Sequence, residues 1–91
     1  MNSILQDDKV CYLCGKQYGL ECHHIFAGVA NRRISEKHGL KVWLCAACHR
    51  GTEGAQYSKE TNLRLKQEAQ AAFEQTHSHG EWMALIRKNY L

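Results

Sequence analysis

The chain has 91 residues, 44% of them apolar, no proline and a formal net charge of +3, which describes one small globular domain (1–91) and argues against disorder. No apolar run approaches the roughly 20 residues that cross a bilayer, and residues 1–10 hold two aspartates and a lysine but no apolar leader, so the expected setting is cytoplasmic, away from membranes. A core this small is marginal by itself and calls for a staple; five cysteines in a reducing compartment then read as metal-bound thiolates, not disulfides.

In chain order, Cys11 to Gly15 reads as a metal knuckle, two thiolates in a tight turn with Gly15 relieving the backbone. Glu21 to Phe26 reads as a short strand. Residues 27–39 are mixed, and Asn31-Arg32-Arg33 and Ser35-Glu36-Lys37 suggest a loop with one helical turn. Val42-Trp43-Leu44 favours a strand. Cys45 to Arg50 opens a short helix that Gly51 and Gly54 break. The chain divides at about Ser58: every cysteine lies before it, and two helical patterns follow. Ser58 is an N-cap, and Leu65, Ala69, Ala72, Phe73 and Thr76 share one helical face. Ser78-His-Gly-Glu81 has the form of a capping box, and Trp82, Leu85, Ile86 and Tyr90 form the stripe of a second helix. Both stripes read as core.

The strongest motif is C-x2-C-x30-C-x2-C, made by Cys11, Cys14, Cys45 and Cys48. Paired x2 spacings let each pair chelate from one turn, so one structural Zn2+ is expected. Thirty intervening residues leave room for something built between the knuckles. Cys22 stands outside this pattern and reads as a small buried hydrophobe. With four thiolates closing the zinc site, the histidines are free for a second task. Adjacent strand residues point to opposite faces, so His23 and His24 should have different partners. His49, directly after Cys48, would be held rigidly by the second knuckle. One imidazole can hold a cation while another takes a proton from water.

The order C-x-x-C, His23-His24-Ile25, Leu44-Cys-x-x-Cys48-His49 resembles the HNH endonucleases over roughly residues 10–56. The wording around His23 to Gly28, Arg32 to Leu40 and Cys48 to Arg50 is similar to small HNH-like proteins of phages and prophages, as is the helical tail from Leu65 to Leu91. The resemblance implies an α+β fold: a zinc-stapled treble clef (ββα-metal unit), then two C-terminal helices over about 58–91. It implies metal-dependent hydrolysis of DNA phosphodiester bonds, leaving 5′-phosphate and 3′-hydroxyl ends. His24 would be the general base. His23 and His49 would hold a second divalent cation, whether Mg2+, Mn2+, Ni2+ or Zn2+. Glu53, four residues past His49, would join them if the helix continues.

Two positions depart from the pattern. The middle Asn of the motif falls on Leu40, with Asn31 and His38 out of register, and Gln56 stands where similar sequences have histidine. Arg32, Arg33, Lys37, Lys41 and Arg50 are candidate phosphate clamps, which position DNA without reading it. No segment resembles a base-reading helix, so specificity would be low or borrowed from a phage or host protein. His77 and His79 read as solvated turn residues. The departures leave room for a rival: a catalytically silent zinc-stabilised module that binds nucleic acid or protein.

Overall fold

The computed structural model describes residues Met1–Leu91. Two strands, β1 (Leu20–His24) and β2 (Lys41–Cys45), form one antiparallel sheet in the register Leu20↔Cys45, Cys22↔Trp43, His24↔Lys41. β2 carries no polar-out alternation, because Val42 and Leu44 are fully buried on one side while the N-terminal segment straps its free edge. Ser3 Oγ donates to the Lys41 carbonyl, the Ile4 N–H to Gly39, and the Trp43 N–H to Gln6 Oε1. The edge therefore keeps few unpaired backbone groups.

The β1–β2 connection is α1 (Val29–His38), ten residues of helix where the sequence suggests a loop with a single turn. Its faces hid it: Ser35 is the only buried residue, so no apolar stripe marks the period. Tertiary bonds compensate. The Ser35 hydroxyl accepts from the Phe26 N–H and donates to the Phe26 carbonyl, joining α1 to the exit of β1. Gly39 closes the helix at φ 70, a left-handed cap whose N–H reaches the Ser35 carbonyl. Phe26 itself lies beyond β1, which ends at His24, although the Ile25 N–H still bonds the Leu40 carbonyl.

The chain continues as α2 (Ala46–Arg50), α3 (Lys59–Phe73) and α4 (His79–Ile86). The Ser58 and Ser78 side chains accept from the N–H groups of Thr61 and Glu81, so both caps stand as read. Leu65, Ala69 and Phe73 are buried on α3, whereas Thr76 falls past its end and is exposed. Tyr90 lies beyond α4, which stops at Arg87 in the left-handed region, yet its ring packs 5.7 Å from Phe26. One apolar cluster runs from Cys11, Ile25 and Leu44 to Leu65, Phe73 and Trp82. Trp82 is its keystone: it meets Phe26 and Phe73 edge-on and donates from Nε1 to the Lys88 carbonyl. Gln70, fully buried, accepts the Tyr90 N–H and donates to Asn89, fastening the C-terminal segment. The architecture is α+β, a two-stranded sheet with four helices, and no helix is long and apolar enough to cross a membrane.

A thiolate cage and a histidine cleft

The sulfurs of Cys11, Cys14, Cys45 and Cys48 all lie within 4.8 Å of one another. Cys14 and Cys45 are 3.6 Å apart, close to the about 3.8 Å edge of a tetrahedron whose Zn–S bonds are about 2.3 Å. Local backbone builds the first knuckle: the Gly15 N–H bonds the Cys11 carbonyl, with Gly15 at φ 81. The Tyr12 N–H reaches the Trp43 carbonyl and sets this knuckle against β2, whose last residue is Cys45. Burial pushes the Cys11 thiol up, but backbone hydrogen bonds from Cys45, Cys14 and Leu13 outweigh it and bring it to about 6. Cys48 moves the opposite way, raised by burial and by the three neighbouring thiols. Four soft donors in this geometry can hold a structural metal such as zinc.

Three histidines, His23, His24 and His49, gather around one cavity. The rings of His23 and His49 meet edge-on with centroids 5.1 Å apart. His23 is 8% exposed, and its Nε2 is buried without a hydrogen-bond partner. Burial, then the nearby His49, His24 and Lys66, lower its pKa to about 4, so the ring is neutral at physiological pH. A buried nitrogen without a partner is costly unless something satisfies it.

Carboxylates orient the other two rings. His49 Nδ1 lies 2.8 Å from Glu21 Oε1. His24 Nε2 lies 2.8 Å from Glu36 Oε2, whose second oxygen is 2.6 Å from Lys41 Nζ. Hydrogen bonds from Lys41 and His24 hold Glu36 at about 2, and the bond from His49 lowers Glu21, so both are ionised. An ionised carboxylate only accepts, so each imidazole donates to it. The proton sits on Nδ1 of His49 and on Nε2 of His24. In a neutral ring the lone pair then falls on His49 Nε2 and on His24 Nδ1.

All three histidines line one cavity of about 510 Å³, with Arg32 from α1 and Asn62 and Lys66 from α3. His24 bonds Glu36 while His23 packs against the His49 ring, and both reach this space. Arg33 lies next door, with Arg32, Glu36 and His24 around a second cavity of about 500 Å³.

Other candidates are placed elsewhere. Glu53 is exposed and does not line the cavity, because α2 ends at Arg50 instead of continuing a further turn. A Cβ at Gly51 would come within 2.4 Å of the Ala47 carbonyl oxygen, so the chain turns away tightly there. Gln56 comes round instead, its amide 3.4 Å from His49 Nε2. Lys41 is 4% exposed and committed to Glu36, which removes it from the set of phosphate clamps. Arg50 is bonded through Nε and Nη2 to Glu21, and Lys37 lies by Gly39 and the N-terminal strap. Leu40 is fully buried, and only its backbone serves the region, through the Ile25 N–H. His38 packs its ring 6.2 Å from Phe73, and neither it nor Asn31 lines the cavity. Cys22 is half-buried beside Met1 and, unlike these, lines the cavity itself.

Glu21, Glu36, Asn62 and Lys66 are the residues that sequence reasoning missed. Nothing local marks them: Glu36 is 12 positions from His24 and Glu21 is 28 from His49. Comparison with protein-family models, with curated proteins and with solved structures finds no match.

Proposed function

We propose that this protein is a metal-dependent endonuclease of HNH type, built on a zinc-stapled treble clef and hydrolysing DNA phosphodiester bonds with little sequence preference. The observation that carries the reading is the orphaned Nε2 of His23, buried against His49 in a cavity that His24 also lines. A divalent cation fits this donor set: His23 is neutral, and His49 Nε2, opposite the nitrogen that Glu21 holds, meets only the Gln56 amide, which would yield to the ion. Such an ion supplies electrostatic stabilisation of the charge that develops on the scissile phosphate and on the leaving oxygen. Gln56 lines the cavity and Glu53 does not, so Gln56, with its Oε1 turned toward the ion, would complete the ligand set.

His24 acts as the base. Its Nδ1 takes the proton of the attacking water, and its Nε2 faces Glu36. Arg32 and Lys66 face the cavity from different helices and would hold a phosphate between them as positive charges, without reading a base. The Lys66 ammonium lies 5.9 Å from the Phe26 ring centre and 5.5 Å from that of Tyr90, cation–π contacts that steer the side chain. The cage lends rigidity, since Cys48 and His49 are consecutive on one short helix.

The test is nicking of supercoiled plasmid with Mg2+, Mn2+, Ni2+ or Zn2+ supplied in turn. Wild-type protein is expected to nick with at least one of them, and His24→Ala to lose that activity while keeping its fold and zinc. Protein inert with every metal on duplex and single-stranded DNA would overturn this reading in favour of a silent binding module.

A further inference from the structure

The Glu36 carboxylate lies between a buried lysine and a cavity histidine, and each of its oxygens has one partner. Oε1 is 2.6 Å from Lys41 Nζ and Oε2 is 2.8 Å from His24 Nε2. Lys41 is on β2, directly across from His24 in the strand register, so two elements fix both ends of the bridge. Lys41 is 4% exposed, and an ammonium has only donors, so it must find an oxygen. No protein side chain other than Glu36 is paired with it.

From this chain of contacts we propose that Glu36 is the positioning residue of His24: clamped by Lys41, it selects the imidazole tautomer with the proton on Nε2 and the lone pair on Nδ1. The role builds on the nuclease reading, in which His24 is the base, yet the tautomer itself is a property of the protein without substrate. Nothing in the sequence pattern assigns a function to Glu36 or Lys41 beyond, for Lys41, the phosphate clamp that its burial excludes. The pair also accounts for how His24 is oriented when Leu40 brings no polar side chain to the middle position of the motif.

The substitution Glu36→Gln distinguishes this from a generic surface bridge. An amide is asymmetric, with one oxygen and one NH2. Lys41 must take the oxygen, so the NH2 is forced toward His24 Nε2. A donor facing Nε2 drives the ring proton to Nδ1, the atom that has to accept from water. Replacing the carboxylate beside a catalytic histidine by an amide acts in the same way in serine proteases, where geometry survives and turnover falls about 10⁴-fold.

The experiment is 15N NMR of histidine-labelled full-length protein, purified with zinc and without a second cation, at about pH 8.5, where imidazole ordinarily is neutral. The His24 signals are assigned by their loss in His24→Ala. Wild-type His24 is expected to show a protonated Nε2 and an unprotonated Nδ1, and E36Q the reverse, with an unchanged fold by circular dichroism. In the nicking assay, kcat of E36Q is expected to fall at least about 100-fold with KM little changed, following the same precedent. A wild-type ring protonated on Nδ1 overturns the proposal, whether or not E36Q folds. So does a folded E36Q that keeps Nε2–H. If the wild-type protein cleaves no DNA while the tautomers switch as described, the nuclease reading fails and the positioning role stands.

Discussion

Cys48 and His49 are neighbours on α2, yet they belong to two kinds of site, and the contrast explains how the molecule divides its work. On the cage side, four sulfurs crowd within 4.8 Å, with backbone hydrogen bonds at Cys11 and no carboxylate bridging them. On the cleft side, imidazoles are far enough apart to border a cavity of about 510 Å³, and Glu21 and Glu36 fix two of them. A closed set of soft ligands has no coordination position left for a substrate, whereas ligands on the wall of a cavity leave one open. Outer carboxylates set tautomers, which matters where a lone pair has to point at something. The cage suits a structural metal, and the proposed chemistry would lie in the cleft.

The largest expected effect breaks the cage. Removing its metal with a chelator is expected to unfold the molecule, since structural zinc supplies about 10–16 kcal/mol of apparent binding free energy in small domains. Far-ultraviolet circular dichroism and 1:1 zinc by elemental analysis check this; a signal unchanged by chelation would contradict it. Next comes Trp82→Ala, expected to cost about 3–5 kcal/mol in chemical denaturation through lost transfer energy and a cavity, because the indole is fully buried between Phe26 and Phe73. Ser35→Ala is a smaller change that touches the cleft side alone. It leaves the Phe26 N–H and carbonyl without their partner, a loss of about 1–3 kcal/mol, and is expected to weaken α1 while zinc content stays at one per chain. The smallest effect sharpens the ligand set: Glu53→Ala is expected to leave cation-dependent nicking unchanged, whereas Gln56→Ala raises the cation concentration needed for half-maximal rate. Equal effects of the two substitutions would return Glu53 to the site.

How much of this was legible beforehand follows the range of each signal. The cage was readable because both of its pairs are local, each two thiols in one turn, and only their meeting needed the fold. The caps at Ser58 and Ser78 were readable for the same reason. α1 was not, because helix period shows in apolar residues and this helix buries only a serine. The place of Glu53 hung on whether α2 runs past Gly51, and the packing of Gly51 against Ala47 turns the chain instead. Lys41 looked like any other basic residue; only its place in β2 opposite His24 reveals that its ammonium is buried and committed to Glu36. Lys66 and Asn62 reach the cleft from α3, beyond any spacing a motif encodes.

The division between cage and cleft is tested most directly by titrating zinc-loaded protein with Mn2+ or Ni2+ in a calorimeter, for wild type, His49→Ala and His24→Ala. The account predicts one further cation site in the wild type, lost in His49→Ala with the zinc retained, and kept in His24→Ala although cleavage is gone. Absence of a second site, or a second site indifferent to His49, would contradict it.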